Sequence, residues 1–257
     1  MSAEVVLLGH QIGYSASPAM QDAAFAAIGL DWRYTLRDVQ PDALSGAVAE
    51  LRGSDRHGAN VTIPHKVAVV ALLDALDPVA ERLAAVNTIV RDGERLIGHN
   101  TDLPALAAEL GELVGPSPGH ALVLGAGGAS RAAEAALNDA KAAAITLISR
   151  ERWDELPTLL AHAVILINAT PVGTASDETP VPTELLRPDL SVLDLVYRPS
   201  PTRLVREARA AGAVARDGAG MLLRQAARSF ELWTGRRAPF GVMRAALQAE
   251  LRGAVHA

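Results

Sequence analysis

The stretch that most narrows the fold is Ala121-Leu122-Val123-Leu124-Gly125-Ala126-Gly127-Gly128-Ala129-Ser130. Four consecutive apolar residues suit a strand buried on both faces, and such strands belong to parallel sheets covered by helices. The glycines then permit a tight turn, and the alanine-rich residues 131–138 supply a helix. Strand, glycine-rich turn and helix in that order make a site for a pyrophosphate, because the backbone approaches closely at glycine while free amides and the positive helix end face the charge. Ser130 holds the sixth position, where glycine or alanine is usual. Residues 145–148 read as the next strand, which runs into Ser149-Arg150-Glu151-Arg152. An acid there binds a ribose 2′-hydroxyl and an arginine accepts a 2′-phosphate, so Arg150 favours NADP while Glu151 keeps NAD open. Further strands are expected at 164–168, 191–196 and 213–216. Their loops are 169–174, Tyr197-Arg198-Pro199 and 217–221, and a helix follows at 222–233. Gln225 lies one turn into that helix, a place where a glutamine faces a pocket or, more commonly, solvent.

Ahead of this unit, Gly115-Pro116-Ser117-Pro118-Gly119 reads as a linker. The chain before it is a second α/β half. Val5-Val6-Leu7-Leu8-Gly9 suits a buried parallel strand, followed by a loop with Ser15 and Ser17 and a helix at 20–28. Ser17 before Pro18 also suits a helix N-cap, an explanation that does not extend to Ser15. Two hydroxyls at the carboxyl end of a parallel strand are placed to bind a polyol or a carboxylate. A strand at 32–39, a helix at 41–52 and a strand at 58–63 come next. In Asn60-Val61-Thr62-Ile63-Pro64-His65-Lys66 the alternation puts Asn60 and Thr62 on one face and Val61 and Ile63 on the other, and Pro64 ends the pairing. Residues 66–73 read as the start of an apolar helix, which stands Lys66 at a strand-to-helix corner where its amine meets a bound hydroxyl. A solvated lysine on an ordinary loop is the plain alternative. Residues 83–90 and 95–102 flank Asp92-Gly93 and read as an antiparallel hairpin. It presents Asn87 at one end and Asn100-Thr101-Asp102 at the other, a segment suited to helix capping or to a catalytic carboxylate.

Composition closes off several classes. The 257 residues allow two domains, and 49% hydrophobic content supports globular cores. A net charge of −5 without a run of Lys or Arg argues against a nucleic-acid partner. The absence of cysteine excludes disulfides and thiolate chemistry, and the seven histidines lack metal-ligand spacing. Apolar runs are strand-sized and the N-terminus lacks a signal-type stretch, so no membrane partner and a soluble, cytoplasmic protein are expected. Oligomeric state is not legible beyond monomer or homodimer.

Taken in order, Ser15-Ala16-Ser17-Pro18, Asn60 through Lys66, Ala85-Val86-Asn87-Thr88, Asn100-Thr101-Asp102, Gly125 through Ala129, Asn168-Ala169-Thr170-Pro171-Val172-Gly173, and Gly218 through Met221 to Gln225 resemble the shikimate dehydrogenases across the whole chain. The resemblance implies an α/β fold of two domains. One is a substrate domain over 1–101, completed by helices at 225–257; the other is a Rossmann-like NADP-binding domain over 102–224. The ligands would lie in a cleft that closes. It implies NADPH-dependent reduction of 3-dehydroshikimate to shikimate, in the pathway to chorismate and the aromatic amino acids. Lys66 and Asp102 would be the catalytic pair and Ser15 and Ser17 would hold the substrate carboxylate. Asn60, Thr62, Asn87, Asp102 and Gln225 would bind the hydroxyls, with Tyr197 nearby. Gly125, Ala126, Gly127, Gly128, Ala129, Ser149, Arg150, Leu195 and Gly218 would meet the cofactor.

The chain also departs from the family pattern. Gln21-Asp22 and Leu103-Pro104 replace the usual neighbours of two motifs, and Ser149-Arg150-Glu151 keeps one residue of the Asn-Arg-Thr cofactor signature. Only the seventeen residues 151–167 separate Arg150 from Asn168, too few for the helix, strand and short helix usual there. A cofactor domain trimmed by a helix and its outer strand is therefore expected, with a more open adenine site and weaker cofactor binding. Alternatives are a quinate/shikimate dehydrogenase using NAD and a non-catalytic shikimate-binding relative; the latter would be expected to lose the lysine or the aspartate.

Overall fold

The computed structural model describes residues 3–53, 55–114 and 118–253, so residues 115–117 of the expected linker lie outside the described residues. The chain divides into two units, Met1–Thr101 with Leu223–Ala257, and Asp102–Leu222.

In the first unit the apolar run at the N-terminus forms β1 (Ala3–Gly9), with α1 (Ser17–Ala27) and β2 (Trp32–Asp38) after it. Residues 41–52 form α2 (Leu44–Ala49) between two 3₁₀ turns, and β3 (Arg56–Val61) follows. A short strand β4 (Ala75–Leu76) and α3 (Pro78–Leu83) precede the hairpin β5 (Thr88–Asp92) and β6 (Arg95–His99). The sheet order is β2-β1-β3-β5-β6-β4. β1 is parallel to both neighbours, whereas β5 runs antiparallel to β3 and β6. Val6, Leu8, Val61 and Ile89 from the sheet pack with Leu44, Val48 and Leu51 of the α2 region. Against α1, Phe25 stacks on Phe230 with ring centroids 5.4 Å apart.

Three expectations need correction here. Residues 66–73 do not form a regular helix: a 3₁₀ segment, Ala68–Leu72, is followed by β4. Val67, Val69 and Val70 are β-branched and favour helix weakly. Asp74 then draws the chain to the sheet, its N–H donating to the Leu96 carbonyl (3.0 Å) and its carboxylate accepting the Leu96 N–H (2.7 Å). Thr62 and Ile63 lie beyond the end of β3, and Ile63 is 49% exposed rather than filling the core. Nor is Ser17 the N-cap of α1; Ala16 takes that position, and the Ser17 N–H donates to the Ser15 hydroxyl at 3.2 Å.

The second unit opens with α4 (Asp102–Val114). β7 (His120–Leu124), α5 (Gly128–Asp139) and β8 (Ala144–Ile148) follow. Then come α6 (Leu156–His162), β9 (Ile165–Asn168) and β10 (Ser191–Asp194). α7 (Arg203–Ala210) and β11 (Val214–Arg216) complete it. The sheet is parallel in the order β11-β10-β9-β7-β8. It has five strands, and β8 forms its edge. Between β8 and β9 the described chain holds a 3₁₀ segment (Arg150–Glu155) and α6 but no strand. Leu122, Leu124, Leu166 and Val192 are fully buried, which accounts for the continuous apolar runs of a sheet covered on both faces. α8 (Ala219–Thr234) begins three residues earlier than the sequence suggested, which puts Gln225 nearly two turns in; α9 (Phe240–Gly253) ends the described chain. No described helix is long and apolar enough to cross a membrane.

Candidate active site

At the carboxyl edge of the first sheet, backbone hydrogen bonds tie the candidate loops together. The Thr62 N–H donates to the Leu8 carbonyl at 2.9 Å, and the His10 N–H donates to the Ile63 carbonyl at 3.0 Å. The loop carrying Ser15 and Ser17 therefore starts beside the corner that carries Lys66. That corner is fixed from two sides. Buried His65 places Nε2 2.7 Å from the Val39 carbonyl, which only accepts, so Nε2 holds the proton. The Lys66 carbonyl accepts the Val86 N–H at 2.8 Å, next to Asn87. Lys66 itself is half-buried.

Asn87 sits in a buried net of neutral groups. The Thr101 N–H, a donor only, lies 2.8 Å from one side-chain atom of Asn87, which must be Oδ1. Its Nδ2 therefore points the other way, 2.9 Å from Thr101 Oγ1 and 3.5 Å from Gln225 Oε1. Asn60 is equally fixed. Its Nδ2 donates toward the Asn87 carbonyl (3.0 Å), with Thr88 Oγ1 (3.0 Å) and Ser229 Oγ (3.1 Å) also in reach, while Oδ1 accepts from the Tyr34 hydroxyl at 2.7 Å. Each of these groups left unpaired would cost about 1–3 kcal/mol. Tyr34, Thr88, His65 and Ser229 were not singled out from the sequence as site residues. Thr88 and His65 lie inside motifs that were, whereas a serine within a helix gives no signal.

Asp102 opens α4 in the second unit and is 3% exposed. In that unit the glycine-rich turn fits a pyrophosphate. Gly125 has φ 121°, and a Cβ there would come within 2.8 Å of Ser130 Oγ and 2.9 Å of the Ala169 carbonyl oxygen. Gly127, at the N-cap of α5, makes no side-chain capping bond, and a Cβ added to it would meet nothing within 4 Å. Gly128 and Ala129 lie in the first turn of α5, where helical N–H groups have no carbonyl partner inside the helix. Ala126 is exposed. The same edge is stitched from strand to strand: the Gly125 N–H donates to Ile148 (2.8 Å), that of Ala169 to Leu124 (2.9 Å), that of Leu195 to Asn168 (2.9 Å) and that of Gly218 to Val196 (2.9 Å). Any side chain at Gly218 would meet the Leu195 carbonyl, 2.2 Å from a Cβ. Tyr197 is half-buried just beyond Leu195.

Beneath this edge lies the buried carboxylate of Asp194. Asn168 Nδ2 (2.9 Å), the Val196 N–H (3.1 Å) and the Thr202 hydroxyl (2.7 Å) donate to it. Burial pushes its pKa up to about 6, against the pull of those three donors. After β8, the exposed Arg150 lies over the Trp153 ring at 5.6 Å, and Arg152 is held by Glu155 at 2.7 Å. The Ser149 hydroxyl keeps the Glu151 carboxyl below its usual range.

Family models match the chain at both ends, the shikimate dehydrogenase substrate binding domain over residues 7–89 and the shikimate 5′-dehydrogenase C-terminal domain over 218–248. The crystal structure of shikimate 5-dehydrogenase from Thermus thermophilus in complex with NADP(H) and shikimate is 37% identical, with a TM-score of 0.83 over 97% of this chain and all of that one. The ligand-free 5-ketofructose reductase of a Gluconobacter strain is 31% identical, with a TM-score of 0.80 over 97% of this chain and 99% of that one. The NADP(+) shikimate dehydrogenase of Symbiobacterium thermophilum is 42% identical, over 96% of this chain and 94% of the relative. With likeness of that degree running through both units, the chain belongs to the shikimate dehydrogenase family.

Proposed function

We propose that the chain catalyses the reversible reduction of 3-dehydroshikimate to shikimate, as a soluble cytoplasmic monomer or homodimer, with the first unit holding substrate and the second holding cofactor. NADPH, when bound, supplies the hydride. Lys66 gives a proton to the oxygen that becomes the hydroxyl, and Asp102 is its carboxylate partner. Ser15 and Ser17 hold the substrate carboxylate. Thr62, Asn87, Asp102 and Gln225 take the hydroxyls, with Asn87 offering its Nδ2 as a donor, and Tyr197 lies alongside. Asn60 is reassigned: with its carboxamide engaged by Tyr34, the Asn87 carbonyl, Thr88 and Ser229, it holds β5 in place.

On the cofactor side, Gly125 through Ala129 face the pyrophosphate and Ser149 and Arg150 the adenosine end. Leu195 and Gly218 line the nicotinamide end. With β8 at the sheet edge, the adenosine half is less enclosed and cofactor binding is weaker than a sixth strand would allow. The observation that most supports this reading is the single bonded edge of the first sheet, where the Ser15 loop, the Lys66 corner and Asn87 are joined by backbone hydrogen bonds.

The test is nicotinamide absorbance and fluorescence with shikimate, quinate or 5-ketofructose paired with NADP or NAD, on the wild type and on Lys66→Ala. Turnover is expected with shikimate and NADP. In the variant it should fall by about 10²–10⁴-fold, the usual worth of a general acid, with NADPH binding kept. Shikimate binding without turnover in any pairing would instead identify a non-catalytic binder.

A further inference from the structure

Ser229 lies one helical turn beyond Gln225 on α8, and its hydroxyl has contacts with two strands of the sheet and with the segment that follows β6. It is fully buried, 2.7 Å from Thr88 Oγ1, 3.1 Å from Asn60 Nδ2 and 3.3 Å from Thr101 Oγ1. Its remaining contact is the Gln225 carbonyl oxygen at 3.0 Å. A carbonyl only accepts, so the single Ser229 proton goes there, and Ser229 Oγ is left to accept from Thr88 and Asn60. The direction of the net follows from groups that cannot reverse: Asn60 donates toward Ser229, and Ser229 donates to the backbone of Gln225. Asn87 and Gln225, the two amides proposed to meet the substrate hydroxyls, are already at the outer limit of a hydrogen bond from one another at 3.5 Å. A small rotation or slide of α8 would part them.

We infer that Ser229 is a positioning residue for substrate recognition, fixing Gln225 against Asn87 by tying α8 to β3, β5 and the Thr101 segment. This rests on the function proposed above. Removing the hydroxyl need not orphan its neighbours. Thr88 can turn its proton to Asn87 Oδ1, 3.1 Å away, and Asn60 Nδ2 keeps the Asn87 carbonyl and Thr88. Alanine also favours helix more than serine. The variant should therefore fold, with its effect concentrated on Gln225.

The experiment is a cycle of Ser229→Ala, Gln225→Ala and the double variant, with KM for shikimate, kcat, NADPH affinity by fluorescence titration, and Tm measured for each. Ser229→Ala is expected to raise KM about five- to tenfold, with kcat changed by less than about threefold and NADPH affinity unchanged. In the Gln225→Ala background the same change should add little, because residues acting as one unit are non-additive. A full multiplicative effect on KM in that background, or an unchanged KM in Ser229→Ala at unchanged Tm, would overturn the inference. A wild type that binds NADPH but does not turn over shikimate would sink the proposed function instead. An inert Gln225→Ala would remove the role assigned to Gln225, and this inference with it.

Discussion

Around Asn87 in the first unit the supporting side chains are neutral: Tyr34, Asn60, Thr88, Thr101 and Ser229 exchange hydrogen bonds without a charge among them. In the second unit the loops after β9 and β10 and the start of α7 close on a buried carboxylate, Asp194. A net of amides and hydroxyls can be satisfied in several ways, because each hydroxyl can turn. Around Asp194 three donors, one of them a hydroxyl, share a single carboxylate, so one loss there deprives all three at once. The first arrangement should be insensitive to pH and forgiving of single losses, the second sensitive to both.

The largest effect is expected from Asp194→Ala, which takes an acceptor from the Asn168 amide, the Val196 N–H and the Thr202 hydroxyl together; it should cost about 3–5 kcal/mol in urea unfolding. A cost below about 1 kcal/mol would erase the contrast between the units. Next comes the pH dependence. The folded pKa of about 6 is above the ordinary 3.8, so the unfolded chain ionises first as pH rises. Asp194 then lowers stability by roughly 3 kcal/mol between pH 4 and 6 and adds no further change above that. Thermal unfolding of wild type against Asp194→Asn over that window should show this difference, and parallel curves would count against it. The smallest effect is that of Tyr34→Phe, which removes one donor to Asn60 and should cost about 1 kcal/mol, equally at every pH from 4 to 9. A slope in that difference would mean that the first net hides a charge.

How much of this the sequence disclosed depended on range. β7, the glycine turn and α5 are contiguous, so their pattern is complete within twenty residues and was legible. That no strand lies between β8 and β9 among the described residues was legible too, because so short an interval cannot hold a strand and two helices. The apolar stretch after Lys66 misled because Asp74 binds Leu96, a partner far along the chain, which turns a helical-looking run into a 3₁₀ segment and a strand. Ser17 misled for a local reason: Ser15 accepts its N–H, so the helix starts one residue earlier than the Ser-Pro pair suggests. The net around Asn87 was legible only in its motif residues. Ser229 is 141 positions from Thr88, and no local pattern announces such a contact.

The chain contains three tryptophans, and the fold divides them usefully. Trp32 stacks on His57, and Trp233 donates its indole N–H to the Ile89 carbonyl at 3.0 Å, both in the first unit. Trp153 lies in the second, under Arg150 at the adenosine end of the proposed cofactor site. With Trp32 and Trp233 replaced by phenylalanine, the remaining tryptophan emission would come from that one indole. A nucleotide that draws the guanidinium away would change its quantum yield, so at the proposed cofactor site that indole would serve as an unlabelled optical reporter for the end of the cofactor that the nicotinamide signal does not sense.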